Sequence, residues 1–267
     1  MGLKSFLQNN KVISPIVWKI FHQKQAKTEY KNNKDLCDRL LKLKDAHKGE
    51  KCFIIGTGPS LTAEDLNVLK ANRIPCFGTH RIFTTFESTE WRPTYYVAQD
   101  YALIKNNVDN IKNIEADIKI LPAYFADVFG KDENIMYYVL REYADSAKKI
   151  HFSSEINKYI SQGFTVAYAS IQLAVWMGFS EIYMLGVDHN YSTYLSKDNK
   201  VVNTSAKNNY FGNENYVCDN LPRLDDSSRG YLKAKEYCDA HNVKIFNATR
   251  GGKLEVFQRI DFDKLFN

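Results

Sequence analysis

Cys52-Phe53-Ile54-Ile55-Gly56-Thr57-Gly58-Pro59-Ser60-Leu61 is the stretch that decides the fold. A short apolar run stops at two glycines flanking a threonine, and a proline and a serine follow. The pattern predicts a buried strand, a tight turn and the start of a helix. Glycines at such a turn let backbone N–H groups approach a phosphate closely. The helix that follows turns its positive dipole end toward the same spot. Gly56, Thr57, Gly58, Pro59 and Ser60 are therefore candidate nucleotide-binding residues, with an ordinary strand-to-helix turn as the plain alternative. The dinucleotide fingerprint is excluded, because Leu61 stands where its third glycine belongs and no acidic residue closes a second strand about 20 residues on. A P-loop is excluded as well, because no Gly-Lys-Ser/Thr follows.

Outward from this turn, Thr62 and Asp65 have capping-box spacing and predict a helix from about Ala63 to Ala71. Ile74 to Gly78 reads as a second strand, Tyr95 to Ala98 as a third ending at Gln99-Asp100, and Ile118 to Leu121 as a fourth. Val166, Ser170, Leu173, Ala174 and Met177 recur at helical spacing, and Gly178 ends that helix. Glu181 to Val187 then reads as a buried strand with Asp188 at its carboxyl end. Tyr231 to Ala240 predicts a helix and Val243 to Phe246 a last strand, followed by the polar turn Asn247-Ala248-Thr249-Arg250-Gly251-Gly252. Strands alternating with helices predict an α/β, Rossmann-like fold, a mostly parallel sheet with helices on both faces. Ligands of such sheets collect outside the carboxyl ends of the strands, which directs Gly56 to Ser60, Asp100 and Asp188 to one crevice.

The chain divides into an N-terminal segment, residues 1–48, and an α/β domain, residues 49–267, with a polar lid at about 190–226. Asn33 to Lys48 reads as a helix. Val12 to Phe21 is apolar and aromatic, and lysines and glutamines follow. Residues 1–30 could thus lie on an anionic membrane surface, or pack on the domain or on a second copy of the chain. The 267 residues suit one large domain, and 44% hydrophobic with 25% charged residues is an ordinary globular balance. A net charge of +5 without a clustered basic stripe does not point to nucleic acid. Cys37, Cys52, Cys76, Cys218 and Cys238 form no CxxC pair and read as reduced core thiols, which predicts a cytoplasmic protein.

Three blocks in order carry a resemblance: Gly56-Thr57-Gly58-Pro59-Ser60-Leu61, then Ala174 to Tyr191, then Asn247 to Leu254. Together they resemble the bacterial 6-hydroxymethylpterin diphosphokinase-like family, which is similar in turn to the CMP-sialic-acid-dependent sialyltransferases of mucosal bacteria. The likeness covers roughly residues 50 to 267. It implies a GT-A-like single nucleotide-binding domain plus a lid, acting at the cytoplasmic face of the inner membrane. It implies a nucleotide-sugar donor, with a CMP-sugar favoured, and a glycan acceptor. The Gly-Pro-Ser turn would hold the nucleotide, with further contacts from His80, Asp100 and Thr165. Tyr191, Tyr194 and, in the lid, Tyr210 would bind the leaving phosphate. Those relatives place a catalytic histidine in the lid, whereas this chain has Thr204-Ser205-Ala206 there.

His189 beside Asp188 offers a replacement, since an Asp–His pair can act as base and orienting partner. Asp261-Phe262-Asp263 spells a DxD but lies far along the chain from the nucleotide blocks and reads as a solvated pair at a turn. The histidines show no metal-ligand spacing, so no metal residues are assigned and Mg²⁺ use is open. Arg250 and Lys253 are candidate phosphate contacts, or solvated surface charges. Three functions fit: a glycosyltransferase of a surface glycan, a pyrophosphokinase with Mg²⁺ on Asp100 and Asp188, or a non-catalytic nucleotide-binding subunit.

Overall fold

The computed structural model describes residues 14–142, 150–206 and 221–266, with side chains from His22 onward apart from those gaps. Tyr210 and Cys218 lie outside the described residues, as do the first thirteen positions. Eight parallel strands form one sheet in the order β12-β11-β8-β1-β2-β3-β4-β5. They are β1 (Lys51–Ile55), β2 (Cys76–Thr79), β3 (Tyr95–Val97), β4 (Ile118–Pro122), β5 (Ile135–Tyr138), β8 (Glu181–Leu185), β11 (Lys244–Asn247) and β12 (Gln258–Arg259). The central strands are buried almost end to end, as parallel strands covered on both faces must be. One apolar core lies on each face of the sheet.

The chain starts at the middle of the sheet, runs outward from β1 to β5, and returns to lay β8 against the other side of β1. Register pairs Ile55 with Leu185, so the turns after β1 and β8 leave the sheet side by side. This reversal of strand order is where open α/β sheets form their crevice.

Helices α1 (Ser14–Asn32) and α2 (Lys34–Cys37) precede the sheet, and α3 (Ala63–Ala71) follows β1. Short helices α4 (Tyr101–Asn106), α5 (Val108–Lys112) and α6 (Ala126–Phe129) flank β4. Helix α7 (Val166–Trp176) leads into β8, and α8 (Leu224–Ala240) into β11. The predicted capping box is present: Asp65 N–H donates to Thr62 Oγ1 and Thr62 N–H to Asp65 Oδ2. Helix α7 is buried on all sides, from Val166 through Ala174, so its apolar stripe extends around the whole helix.

The expected helix over 33–48 is not continuous. It breaks after α2 into a 3-10 turn, Asp38–Leu43. Beyond it Asp45, His47 and Gly49 donate their N–H groups to Trp176, Met177 and Gly178, the open carbonyls at the end of α7. Those long-range bonds replace the helical ones that the local pattern predicts. The sequence reading has no strand between Pro122 and Thr165, whereas the structure adds β5 and the small pair β6 (Leu140–Arg141) and β7 (Ile160–Ser161). Within the proposed lid, β9 (Thr193–Leu195) and β10 (Val201–Asn203) form a hairpin, and α8 begins at Leu224. Among the described residues no helix is long and apolar enough to cross a membrane.

Candidate functional site

A cleft of about 520 Å³ opens at the carboxyl ends of β1, β2, β3 and β8. Gly56, Thr57, Gly58, His80, Asp100, Thr165, Asp188, His189 and Tyr191 all line it. Nine residues singled out from separate stretches of sequence thus meet in one place. Pro59, Ser60 and Tyr194 are not on its wall. Ser60 instead supports it, donating its hydroxyl to Asp188 Oδ2 at 2.8 Å. Tyr194 sits half-buried in the β9–β10 hairpin, opposite Val202.

The glycines of the turn serve a different need from the one the sequence suggests. A Cβ on Gly56 would lie 2.4 Å from Gly186 O, and a Cβ on Gly58 would lie 1.9 Å from Asp188 Oδ2. Gly56 and Gly58 also donate their N–H groups to Leu185 O and Gly186 O, at 2.8 and 2.9 Å. The helix end after the turn is occupied too. Asp65, in the first turn of α3, receives both a cap bond and two bonds from Arg250 Nη1 at 2.6 and 2.8 Å. The turn therefore clamps β1 to the segment after β8 and carries Asp188, while two of the N–H groups expected to face a phosphate are spent inside the protein. Arg250 completes an ion-pair network with Asp65 and Asp263 and is not free to reach the cleft. Asp261 accepts from Asp263 N–H, so the Asp261-Phe262-Asp263 stretch is a structural turn.

The helix end that does open into the cleft is that of α7, through Thr165, Val166 and Ala167. Thr165 is its N-cap, accepting from Ala167 N–H at 3.3 Å and touching Tyr231 Oη at 3.3 Å. Arg223 lies on the same wall, pairs through Nε with the buried Asp226 Oδ2 at 2.5 Å, and covers the Phe164 ring, 4.9 Å from its centroid. Asp100 is the N-cap of α4, accepting from Leu103 N–H at 2.8 Å, so its carboxylate has a structural duty as well as a place on the wall.

Asp188 and His189 do not pair with each other as the sequence reading expects. Asp188 answers to Ser60, and its carboxyl is pushed above the ordinary range by burial, against those bonds. His189 Nε2 meets Ser228 Oγ at 2.7 Å, and that hydroxyl also lies 2.9 Å from Leu224 O. A serine has one hydrogen to give. With it on Leu224 O, Ser228 Oγ accepts from His189 Nε2–H, and the imidazole lone pair stays on Nδ1. Burial holds the imidazole down to about 4, with Asp225 opposing, so His189 is neutral at pH 7.

Three residues around the cleft have left-handed backbones without being glycine: His80 at φ 46°, Phe164 at 59° and His189 at 51°. Such conformations are uncommon for bulky side chains, persist only where the surroundings enforce them, and gather at functional sites. At His80 the enforcement is visible: its N–H donates to Val97 O and its carbonyl accepts from Tyr96 Oη at 2.8 Å. His80 lines the cleft, burial lowers its pKa to about 4 against the nearby Asp100, and Nε2 is buried with no partner among the described residues. Gln99 Oε1 is likewise buried without a partner. Gln99, Phe164, Arg223 and the rim tyrosines Tyr101 and Tyr124 escape the sequence reading. Only Gln99 carries a local signal, its place beside Asp100 at a strand end. Among the described residues no group of three or more His, Cys, Asp or Glu is placed to hold a metal ion.

A parallel sheet with its strand order reversed at a polar cleft, floored by a glycine turn, defines a Rossmann-like ligand-binding domain. The chain belongs to the MptE-like family, described as 6-hydroxymethylpterin diphosphokinase MptE-like, which it matches over residues 24–194. Among solved structures it is similar to the MAf glycosyltransferase from Magnetospirillum magneticum AMB-1, with a TM-score of 0.50 and 17% identity. That match covers 85% of this chain but 39% of the other, and at such identity it shows the shared fold. No curated protein matches the chain.

Proposed function

We propose that the chain is a glycosyltransferase that takes a sugar from a nucleotide-activated donor, with a CMP-sugar favoured, and passes it to a glycan acceptor. The observation that carries this reading is a neutral, strained His189 with a free lone pair, facing the same cleft as the α7 N-terminus and Arg223. Sugar transfer needs a base for the acceptor hydroxyl and positive potential for the departing phosphate. His189 Nδ1 supplies the first. The α7 N-terminus supplies the second, joined by Arg223, whose charge is shared with Asp226. Ser228 fixes the tautomer, and the turn around Gly58 sets Asp188 beside the reacting centre. His80 Nε2 faces the nucleotide, and Tyr191 flanks His189 edge-on at 6.5 Å. Family membership and the shared fold with a glycosyltransferase support the reading. Capsule or lipopolysaccharide synthesis at the inner membrane face, with residues 1–30 on the lipid and a homo-oligomeric state, belongs to the same proposal.

The family's description favours a second reading, transfer of diphosphate from ATP to a hydroxymethyl compound. Asp100 and Asp188, both on the cleft wall, would then be the carboxylates nearest a Mg²⁺-nucleotide. Incubation with CMP-, UDP- and GDP-sugars and with Mg-ATP separates the two. Release of free nucleotide from a sugar donor without a Mg²⁺ requirement supports glycosyl transfer. AMP formed only with Mg²⁺ supports the second reading and overturns the first.

A further inference from the structure

One arm of the cleft, beyond β3 and β4, differs from the part given to the nucleotide. Tyr101 and Tyr124 line it and are 57% and 41% exposed, among the most exposed large apolar side chains of the described residues. Their ring centroids are 6.0 Å apart, and Tyr101 stacks on Phe125 at 5.4 Å. An aromatic shelf left open to water inside a cleft marks a surface that a ligand covers. Beside the shelf lies Gln99, 8% exposed, with Oε1 buried and unpartnered, while its carbonyl accepts from Tyr124 Oη at 3.4 Å. A buried acceptor left open calls for a hydrogen-bond donor.

The charge on this arm is negative. Glu142 and Asp100 line the cleft, and behind them Glu29 of α1 accepts from Tyr124 N–H, its carboxyl pushed up to about 7 by burial and by Glu142. All three carboxylates raise the Tyr124 phenol above its ordinary range, behind burial as the largest cause. Arg223 is the one lysine or arginine among the described residues lining the cleft. Phosphate groups are disfavoured beside the Glu142 and Asp100 carboxylates. A sugar ring fits, with an apolar face for the tyrosines and hydroxyls for the acceptors.

Resting on the glycosyltransferase reading, we propose that this arm is the acceptor subsite, built for a neutral or amino-bearing pyranose ring. The ring stacks on Tyr101 and Tyr124 and donates hydrogens to Gln99 Oε1 and Glu142. The arrangement selects against a uronic or sialic acid at the acceptor position.

Saturation-transfer NMR on the full chain tests this with methyl glucoside, methyl galactoside and their 2-amino-2-deoxy forms, and with methyl glucuronide as the anionic control. Thermal shifts with nucleotides are read on the same samples. The proposal expects saturation of the neutral and amino glycosides and several-fold less for the glucuronide. The Tyr101→Ala/Tyr124→Ala double variant is expected to lose that signal and keep the nucleotide shift. Gln99→Leu, as a second variant, is expected to weaken glycoside binding alone. Nucleotide binding without any glycoside signal, or equal binding of the glucuronide, overturns the proposal and leaves the nucleotide reading intact. Loss of the nucleotide shift in the double variant overturns it too, because the shelf would then stack a base. Glycoside binding with no nucleotide shift in the wild type supports the subsite and sinks the donor reading.

Discussion

The two ends of one sheet treat their histidines in opposite ways. At the amino end His47 is fully engaged: Nδ1 meets Glu50 Oε2 at 2.9 Å, Nε2 meets Tyr95 Oη at 2.6 Å, and the ring stacks on Phe179 at 4.4 Å. At the carboxyl end His80 keeps an unpartnered Nε2, and His189 keeps a lone pair after bonding Ser228. Both carboxyl-end histidines also sit on left-handed backbone. A polar group that serves the fold closes its hydrogen bonds within the protein, whereas one that serves a ligand leaves them open. By that criterion the amino end holds the molecule together and the carboxyl end is the one left open to a ligand.

The strongest way to break this contrast is His189→Ala. Loss of the base is expected to lower sugar transfer by about 100-fold or more while the nucleotide thermal shift persists. A near-normal rate would remove His189 from the mechanism. The same change bears on pH. A histidine lowered to about 4 in the fold binds its proton preferentially when unfolded, where it titrates near 6.5. Its share of stability is present above pH 6.5 and is lost as pH falls toward 4. The variant should therefore show a flatter decline of melting temperature over that window.

Gly58→Ala comes next. The added methyl overlaps the Asp188 carboxylate, so a cost of about 1–3 kcal/mol in stability is expected, together with loss of nucleotide binding. Urea unfolding and the thermal shift would show both. Unchanged binding would mean that the clamp between the two strand ends does not position the site.

His47→Ala sharpens the comparison from the other side. It strands the Tyr95 hydroxyl and should cost about 1–2 kcal/mol, with no change in any ligand response. Smallest, and opposite in sign, is Gln99→Leu in the ligand-free protein. Removing a buried acceptor that has no partner should raise stability by about 1 kcal/mol. A fall instead would show that Gln99 is structural, like His47.

Much of this was legible in the sequence because the signals are local. The apolar run before Gly56 gives β1, Thr62 and Asp65 give the start of α3, and Asp188 falls at the end of β8 as its apolar run predicts. Strand ends direct Gly56, Thr57, Gly58, Asp100, Asp188 and His189 to the cleft wall, while His80, Thr165 and Tyr191 come to it through the family resemblance. The turn's real task was not legible, because the group that forbids a side chain on Gly58 is Asp188, distant in sequence. The partners of His189 and Arg250 were hidden for the same reason. Adjacency along the chain suggested an Asp188–His189 pair, but consecutive residues here point to different elements, one to the β1 turn and one to α8. Phe164 and Tyr124 had no pattern to announce them. Strain and exposure are properties of the fold.

The most direct test of the central claim, that the carboxyl-end cleft is a nucleotide site with open polar groups, is a thermal-shift panel on wild type and His80→Ala. CMP, CDP, UDP, GDP and ATP would each be added with and without Mg²⁺. A ligand that binds the folded state alone must raise the melting temperature. The account predicts metal-independent stabilisation by a cytidine nucleotide that shrinks in His80→Ala. No shift with any nucleotide, or a shift that His80→Ala leaves untouched, would contradict it.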